Sequence, residues 1–303
     1  MKQDNEIHGI QKSFAQTIWE KLRSMRFILL ILFWMIGWTT FSLELPVAVA
    51  DHSSPPKVPF RVHDFDIPEN PLGESIQFGE NLVMETPTFA KPYVGNGLKC
   101  RNCHLEGGIV PNAMPYIGLS GLFPTYRPRA AQVITLQERI NGCFMRSLNG
   151  KPLPLDSPEM TGIVAYITWL SQEIPVGAEV EGRGTKKLAS PKHKPDPERG
   201  RKLFSEKCSY CHGAEGEGSK NPDGSYLFPP LWGDDSFNIA AGMARLNTAT
   251  AFIKHNMPFG QGGSLTDQEA YDIASFFTTQ PRPDFPEKSQ DWPKGGKPAD
   301  ARY

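Results

Sequence analysis

An all-α protein made of two tandem domains on one plan is what this sequence predicts, and three observations carry that reading. The pattern Cys-x-x-Cys-His occurs twice, at Cys100-Arg-Asn-Cys103-His104 and at Cys208-Ser-Tyr-Cys211-His212. Each copy follows a similar segment that opens on glycine, Gly79-Glu-Asn-Leu-Val83 in one case and Gly200-Arg-Lys-Leu-Phe204 in the other. Each is then followed, at nearly the same distance, by an amphipathic closing helix. The first closing helix has Ser157 as N-cap, Pro158 at its first position, and Ile163, Tyr166, Ile167 and Leu170 on its apolar face. The second opens on a Thr266/Glu269 capping box and carries Ile273, Phe276 and Phe277.

The remaining segments fall into place around these two units. Residues 1–50 read as a secretory signal. Lys21, Arg23 and Arg26 precede an apolar run over residues 27–38, and Ala48-Val-Ala50 is an A-x-A cleavage pattern. The apolar run is shorter than the roughly 20 residues of a membrane span, and the leader before it is long for a signal; the alternative is an uncleaved single-helix anchor. Either reading exports the protein, and the periplasm is the expected location. Residues 51–71 read as a flexible lead-in, 72–171 as the first domain and 172–197 as a Pro-, Gly- and Lys-rich linker. Residues 198–283 read as the second domain and 284–303 as a tail. With 32 Lys and Arg against 33 Asp and Glu, the net charge is −1, which points away from nucleic acid. A membrane partner follows only if the N-terminal segment stays uncleaved. Pro and Gly number 28 each in 303 residues, as suits helices joined by long loops.

Cys-x-x-Cys-His is the attachment pattern for haem c: two thiols form thioethers and the adjacent histidine lies under the iron. Zinc would need the second cysteine pair much nearer and would not need either histidine. A redox dithiol would explain one pair at most. The expected architecture is therefore two class I cytochrome c-like domains with two covalently attached haem c groups. One is held by Cys100, Cys103 and His104, the other by Cys208, Cys211 and His212.

Each iron then needs a distal ligand. In the second domain Met257, followed by Pro258 ahead of the closing helix, is the expected donor; His255, Lys254 and Met243 are its rivals. In the first domain the equivalent stretch is residues 135–150. It opens on a Thr135/Glu138 capping box and stops at Asn149-Gly150. Leu136, Ile140, Phe144 and Leu148 form an apolar stripe, and beside it Arg139, Cys143, Arg146 and Ser147 share a second one. Four of the five cysteines are consumed by thioethers, so Cys143 is left over in an oxidising compartment, where a spare thiol is paired, buried or used. Met145 projects to the other side of the helix, and Met114 and Met160 lie further off. Cys143 is the expected distal ligand. An electron-rich thiolate should depress the potential there, so that electrons run from the first haem to the second. Arg127, Arg129, Arg139 and Arg146 face one acid, Glu138, in this part of the chain. Guanidinium forks suit oxyanions of sulfur or phosphorus. Arg127 or Arg146 is the expected partner of haem propionates, while Arg139 and Ser147 stand one turn either side of Cys143.

The segment Asn96-Gly-Leu-Lys-Cys-Arg-Asn-Cys-His-Leu105, then Arg129, then Arg139-Ile-Asn-Gly-Cys-Phe-Met-Arg-Ser-Leu-Asn-Gly150 resembles the dihaem thiosulfate dehydrogenases, some of which reduce tetrathionate. The resemblance covers roughly residues 65–283, and its specific part is the segment around Cys143. It implies His104/Cys143 ligation at a catalytic haem, with Arg129, Arg139 and Ser147 in the substrate pocket, and a second haem that passes electrons to a small cytochrome c or similar acceptor. Some relatives place a lysine beside the methionine as a second-haem ligand; this chain has Asn256 there, so Met257 is expected in both redox states. The implied reaction joins two thiosulfate dianions into tetrathionate, with the cationic pocket offsetting their repulsion and Cys143 able to hold one of them covalently. Two other classes compete with it. One is a dihaem electron carrier with no substrate, and the other is a Sox-type cytochrome that carries sulfur chains.

Overall fold

The computed structural model describes residues 54–303, and these form one unit; the readings of residues 1–50 as signal or anchor lie outside the described residues. Six helices of more than two turns carry the architecture. The first, α1 (Pro71–Met84), starts where the Asn70 side chain accepts from the N–H groups of Leu72 and Gly73. In α2 (Leu136–Arg146) the Thr135/Glu138 capping box forms in both directions. Ser157 caps α3 (Pro158–Leu170) by accepting from the Met160 N–H, and Asp196 caps α4 (Pro197–Lys207) in the same way. Next come α5 (Leu246–Asn256) and α6 (Asp267–Thr279), the latter with its expected capping box. The strands β1 (Lys57–Val58), β2 (Thr125–Arg127), β3 (Gln132–Ile134), β4 (Glu179–Val180), β5 (Ser219–Lys220) and β6 (Tyr226–Phe228) are short. They pair as parallel β1–β4 and antiparallel β2–β3 and β5–β6.

In each domain the first helix crosses the last at a glycine. A Cβ on Gly79 of α1 would sit 1.9 Å from the carbonyl oxygen of Gly162 on α3. One on Gly200 of α4 would sit 2.0 Å from the carbonyl oxygen of Asp272 on α6. The same contact recurs at the equivalent place in both halves, which is what a duplicated unit should show. Behind the first crossing, Leu82, Val83, Ile163 and Ile167 are buried together with the stripe Leu136, Ile140, Phe144 and Leu148 of α2. Each such side chain contributes about 1.5–3 kcal/mol by leaving water. Phe204, Phe252 and Phe277 extend the same core into the second half, without a break between them.

Asparagines stitch the halves together. Asn238, 1% exposed, donates its side-chain NH2 to the Met145 carbonyl at 2.9 Å, and its backbone N–H reaches the Arg146 carbonyl at 3.1 Å. The Asn96 NH2 bridges the Ser147 and Ser236 carbonyls, each at 3.1 Å.

Three segments expected to be loose are held in place. In the lead-in, β1 pairs with β4 and His63 bonds the Trp169 carbonyl at 2.7 Å. The interdomain stretch packs against the first domain: the Gly182 and Gly184 carbonyls accept from the Asn112 and Met114 N–H groups at 2.6 and 2.8 Å. The tail buries Phe285 and Trp292, and Asp300 pairs with Arg245 at 2.7 Å. Backbone bonds and single long-range ion pairs do this work, which is why no apolar periodicity marks these segments.

Gly79→Ala and Gly200→Ala should each destabilise the protein by about 1–3 kcal/mol, because the crossing backbones must part to admit a methyl group. Gly242→Ala, where a Cβ meets nothing within 4 Å, should leave the thermal midpoint in place. Thermal denaturation of the three variants beside the parent protein checks this.

Candidate functional site

Both Cys-x-x-Cys-His motifs open onto a cavity of about 780 Å3 that runs through both domains. In the first domain its wall includes Cys100, Cys103, His104 and Met114, and facing them Arg139, Cys143 and Ser147 of the α2 segment. In the second domain it includes Cys208, Cys211, His212, Met243 and Met257.

The two histidines are held alike. Nδ1 of His104 bonds the Met114 carbonyl at 2.6 Å, and Nδ1 of His212 bonds the Pro229 carbonyl at 2.9 Å. A ring that donates Nδ1–H to a carbonyl keeps Nε2 as the lone-pair nitrogen, which is the arrangement a metal-binding imidazole needs. The His104 ring also stacks on Tyr116, with centroids 4.5 Å apart. Thr86, fully buried, accepts from the Cys100 N–H at 3.0 Å and donates its hydroxyl to Cys100 Sγ at 3.4 Å, so that thiol is fixed in position. In the second motif Cys208 caps α4, its N–H bonded to the Phe204 carbonyl at 2.8 Å.

The leftover cysteine lines the same cavity as His104 and is close enough to feel its ring. Nη1 of Arg139, one helical turn earlier, lies 3.3 Å from Cys143 Sγ. Burial by itself would raise the Cys143 thiol; the Arg139 guanidinium and the His104 ring outweigh it and bring the thiol down to about 6. The thiols of the first attachment motif go the other way, Cys100 to about 11 and Cys103 to about 12, chiefly through burial. Of these three thiols, Cys143 is the one with thiolate character near neutral pH.

The residues fit two haem c groups. Paired thiols lie beside an imidazole with a free Nε2 in an apolar wall, twice over, and a sulfur donor stands in the same cavity each time: Cys143 in the first domain and Met257 in the second, where Met243 is also present. Met114, another candidate from the sequence, also lines the cavity, on the His104 side, while two further candidates stand elsewhere. Met160 is buried in the core, and the Lys254 ammonium bonds the Gly263 and Leu265 carbonyls and pairs with Asp267 at 3.5 Å. Asn256 reaches the Asn112 carbonyl at 3.3 Å and so joins the two domains.

Of these four arginines, Arg127 and Arg139 line the cavity, while the guanidiniums of Arg129 and Arg146 bond other parts of the chain. Arg146 pairs with Asp291 of the tail at 2.8 Å and covers the Phe285 ring at 4.4 Å. The expected stripe around Cys143 is therefore corrected to one guanidinium, Arg139, because a carboxylate far along the chain takes the other. Arg129 donates to the Ala240 carbonyl at 2.7 Å, covers the Trp292 ring at 4.7 Å and lies 3.8 Å from the same Asp291. Arg183, in the stretch read as a linker, lines the cavity as well and was not singled out from sequence. Its one local signal, an arginine between two glycines, is too common to have found it.

Comparison with known proteins agrees with this arrangement. A family model described as SoxA/TsdA, cytochrome c domain, matches residues 86–176, and one described as Cytochrome c matches residues 197–280. Together with the two attachment motifs they define a c-type cytochrome with two haem domains. A thiosulfate dehydrogenase from Psychrobacter arcticus is 49% identical over 236 residues, covering 78% of this chain and 72% of that protein. One from Allochromatium vinosum is 47% identical over 248 residues, covering 80% and 92%. The solved thiosulfate dehydrogenase TsdBA from Marichromatium purpuratum, in its as-isolated form, superposes with a TM-score of 0.72 at 38% identity over 80% of this chain; the match spans 52% of that longer chain. The chain belongs to the thiosulfate dehydrogenase family.

Asp291→Ala should cost about 1.5–3 kcal/mol, since it removes the charged hydrogen-bond partner of Arg146 and the nearby carboxylate of Arg129. Guanidinium chloride unfolding of the haem-loaded protein measures this, and a variant as stable as the parent would show that the pair contributes nothing.

Proposed function

We propose that the protein oxidises two thiosulfate ions to one tetrathionate ion at the Cys143 end of the cavity. The observation that carries this reading is the contact between Arg139 and the Cys143 sulfur on the cavity wall. It places a fixed positive charge next to a nucleophilic sulfur, at the spot where a dianion has to approach.

His104 and Cys143 would hold the first haem's iron, and His212 and Met257 the second's. When bound, the two haems supply the one-electron chemistry, and the electron-rich thiolate on the first makes it the donor and the Met257 side the exit. The protein's own residues do the rest. Arg139 holds a sulfonate end of the substrate by charge-assisted hydrogen bonds and keeps the Cys143 sulfur anionic. Ser147, one turn beyond Cys143 and on the same wall, offers a hydroxyl to the same anion. Arg129 supports this cluster from behind the wall, where Ala240 and Trp292 hold it. The Cys143 thiolate bonds the sulfane sulfur of one thiosulfate, an oxidation that gives up two electrons; the sulfane sulfur of the second thiosulfate then attacks that bound sulfane sulfur, the bond to Cys143 breaks, and tetrathionate leaves with the thiolate restored. Two electrons leave in the overall reaction. Two dianions repel each other, and cations placed beforehand offset that repulsion without reorganising.

Met257 serves the second haem in both redox states, because the Lys254 ammonium is spent on carbonyls and on Asp267. A small cytochrome c is the acceptor. The periplasm is the location, on the strength of the charged leader, the apolar run and Ala48-Val-Ala50; among the described residues no helix is long and apolar enough to cross a membrane.

With thiosulfate and an artificial electron acceptor, the purified dihaem protein should turn over. Arg139→Ala should lower kcat by about 100- to 1000-fold, the usual effect of removing one charge-stabilising donor. Cys143→Ala should lose at least as much while keeping its haem content. A parent protein without turnover in either direction would leave an electron carrier, with Cys143 a ligand only.

A further inference from the structure

We propose that Arg183, delivered by the stretch between the two domains, is a third substrate-binding cation. With Arg127 it forms a sulfonate-binding arm separate from Arg139, and it takes the end of the anion that points away from the Cys143 sulfur. The inference rests on the thiosulfate reading and adds to it a residue that determines how long an anion the site accepts.

Arg183 lines the same cavity as Arg127, Arg139 and Cys143, and it is exposed at the surface. Its position is built rather than incidental. On one side Val180 of β4 is buried, and on the other the Gly182 and Gly184 carbonyls are bonded to Asn112 and Met114. The residue is therefore fastened at both flanks to the loop that also orients His104. Of its five N–H donors, one bonds the Ala178 carbonyl at 3.2 Å and the fork is otherwise free to meet a ligand.

Arg127, Arg139 and Arg183 have no carboxylate within ion-pair distance among the described residues, whereas Arg101 on the same cavity, and Arg129, Arg146 and Arg245, all do. Arg127 is close enough to both others to feel them: partial burial, then the Arg139 and Arg183 charges, hold it below its usual value. Like charges gathered without counter-ions cost stability, and a dianionic ligand offsets that cost. Tetrathionate carries a sulfonate at each end of a sulfur chain. A single cation beside Cys143 serves one end of it, and the other end requires a second cationic position. Arg127 on β2 and Arg183 beyond β4 supply it from two parts of the chain that are distant in sequence.

The rival use of Arg183 is to neutralise a haem propionate, and the test separates the two. Arg183→Ala and Arg183→Gln are made in the full dihaem protein beside Arg183→Lys. The readouts are KM and kcat for thiosulfate, KM for tetrathionate in the reductive direction, haem content, and the midpoint potentials of both haems. The proposal expects KM to rise at least tenfold for both anions in the Ala and Gln variants, with partial recovery in Arg183→Lys. Haem content, potentials and kcat should stay near those of the parent. An unchanged KM overturns the proposal, and so does a shifted first-haem potential with KM unchanged, which would assign Arg183 to a propionate. If the parent turns over neither anion, the thiosulfate reading fails and this inference fails with it; a parent that is active with an insensitive Arg183 loses only the inference.

Discussion

Two backbones that cross with only a hydrogen atom between them set the geometry of both halves. Gly79 against Gly162, and Gly200 against Asp272, let the first and last helix of each domain approach more closely than any side chain would allow. In the second half α4 ends directly on Cys208, so the angle of the crossing also aims the attachment motif. The histidine that follows each motif is then fixed by one carbonyl, from Met114 or from Pro229. With the proximal side constrained in this way, the frame is the same twice and the distal side is free to differ.

On the proposed function, the two halves differ in which element supplies the distal sulfur. In the first it comes from within a helix, where residues one turn apart stack on one face, so Cys143 arrives with Arg139 and Ser147 already beside it. In the second it comes from the residue just past the end of α5, and Lys254, three residues earlier, is bonded elsewhere. A helix face can hold a sulfur and its charged neighbours in register, whereas a helix end presents the sulfur by itself. The difference between the proposed anion-handling site and the proposed electron exit would follow from that choice of element.

Much of this was legible in the sequence because the signals are local. Capping boxes at Thr135 and Thr266, the stripe from Leu136 to Leu148, and the spacing within each Cys-x-x-Cys-His motif depend on neighbours a few residues apart. What was not legible depends on partners far along the chain. Helical periodicity put Arg146 beside Cys143, and Asp291 of the tail draws it away. The resemblance put Arg129 in the pocket, and its bond to the Ala240 carbonyl and its place over Trp292 come from residues the local sequence does not reveal. Arg183 sits in a stretch with no periodicity at all, ordered by backbone bonds from Asn112 and Met114 that leave no trace in residue type. The Pro- and Gly-rich composition that suggested loose connections describes segments whose order comes from the main chain.

Asn238 carries a consequence for the protein's ancestry. Its side chain is almost wholly enclosed, and the groups that satisfy it, the Met145 carbonyl and the Asn149 amide, belong to the other half. A repeat freshly copied from a single-domain ancestor would have had no such partners and would have kept this position wet. Burying an amide against a sister domain ties each copy to the other, since separation breaks these hydrogen bonds and exposes the apolar core that runs through both halves. What began as two interchangeable modules has become one indivisible molecule, and either half can now change its distal element only in ways that its twin tolerates.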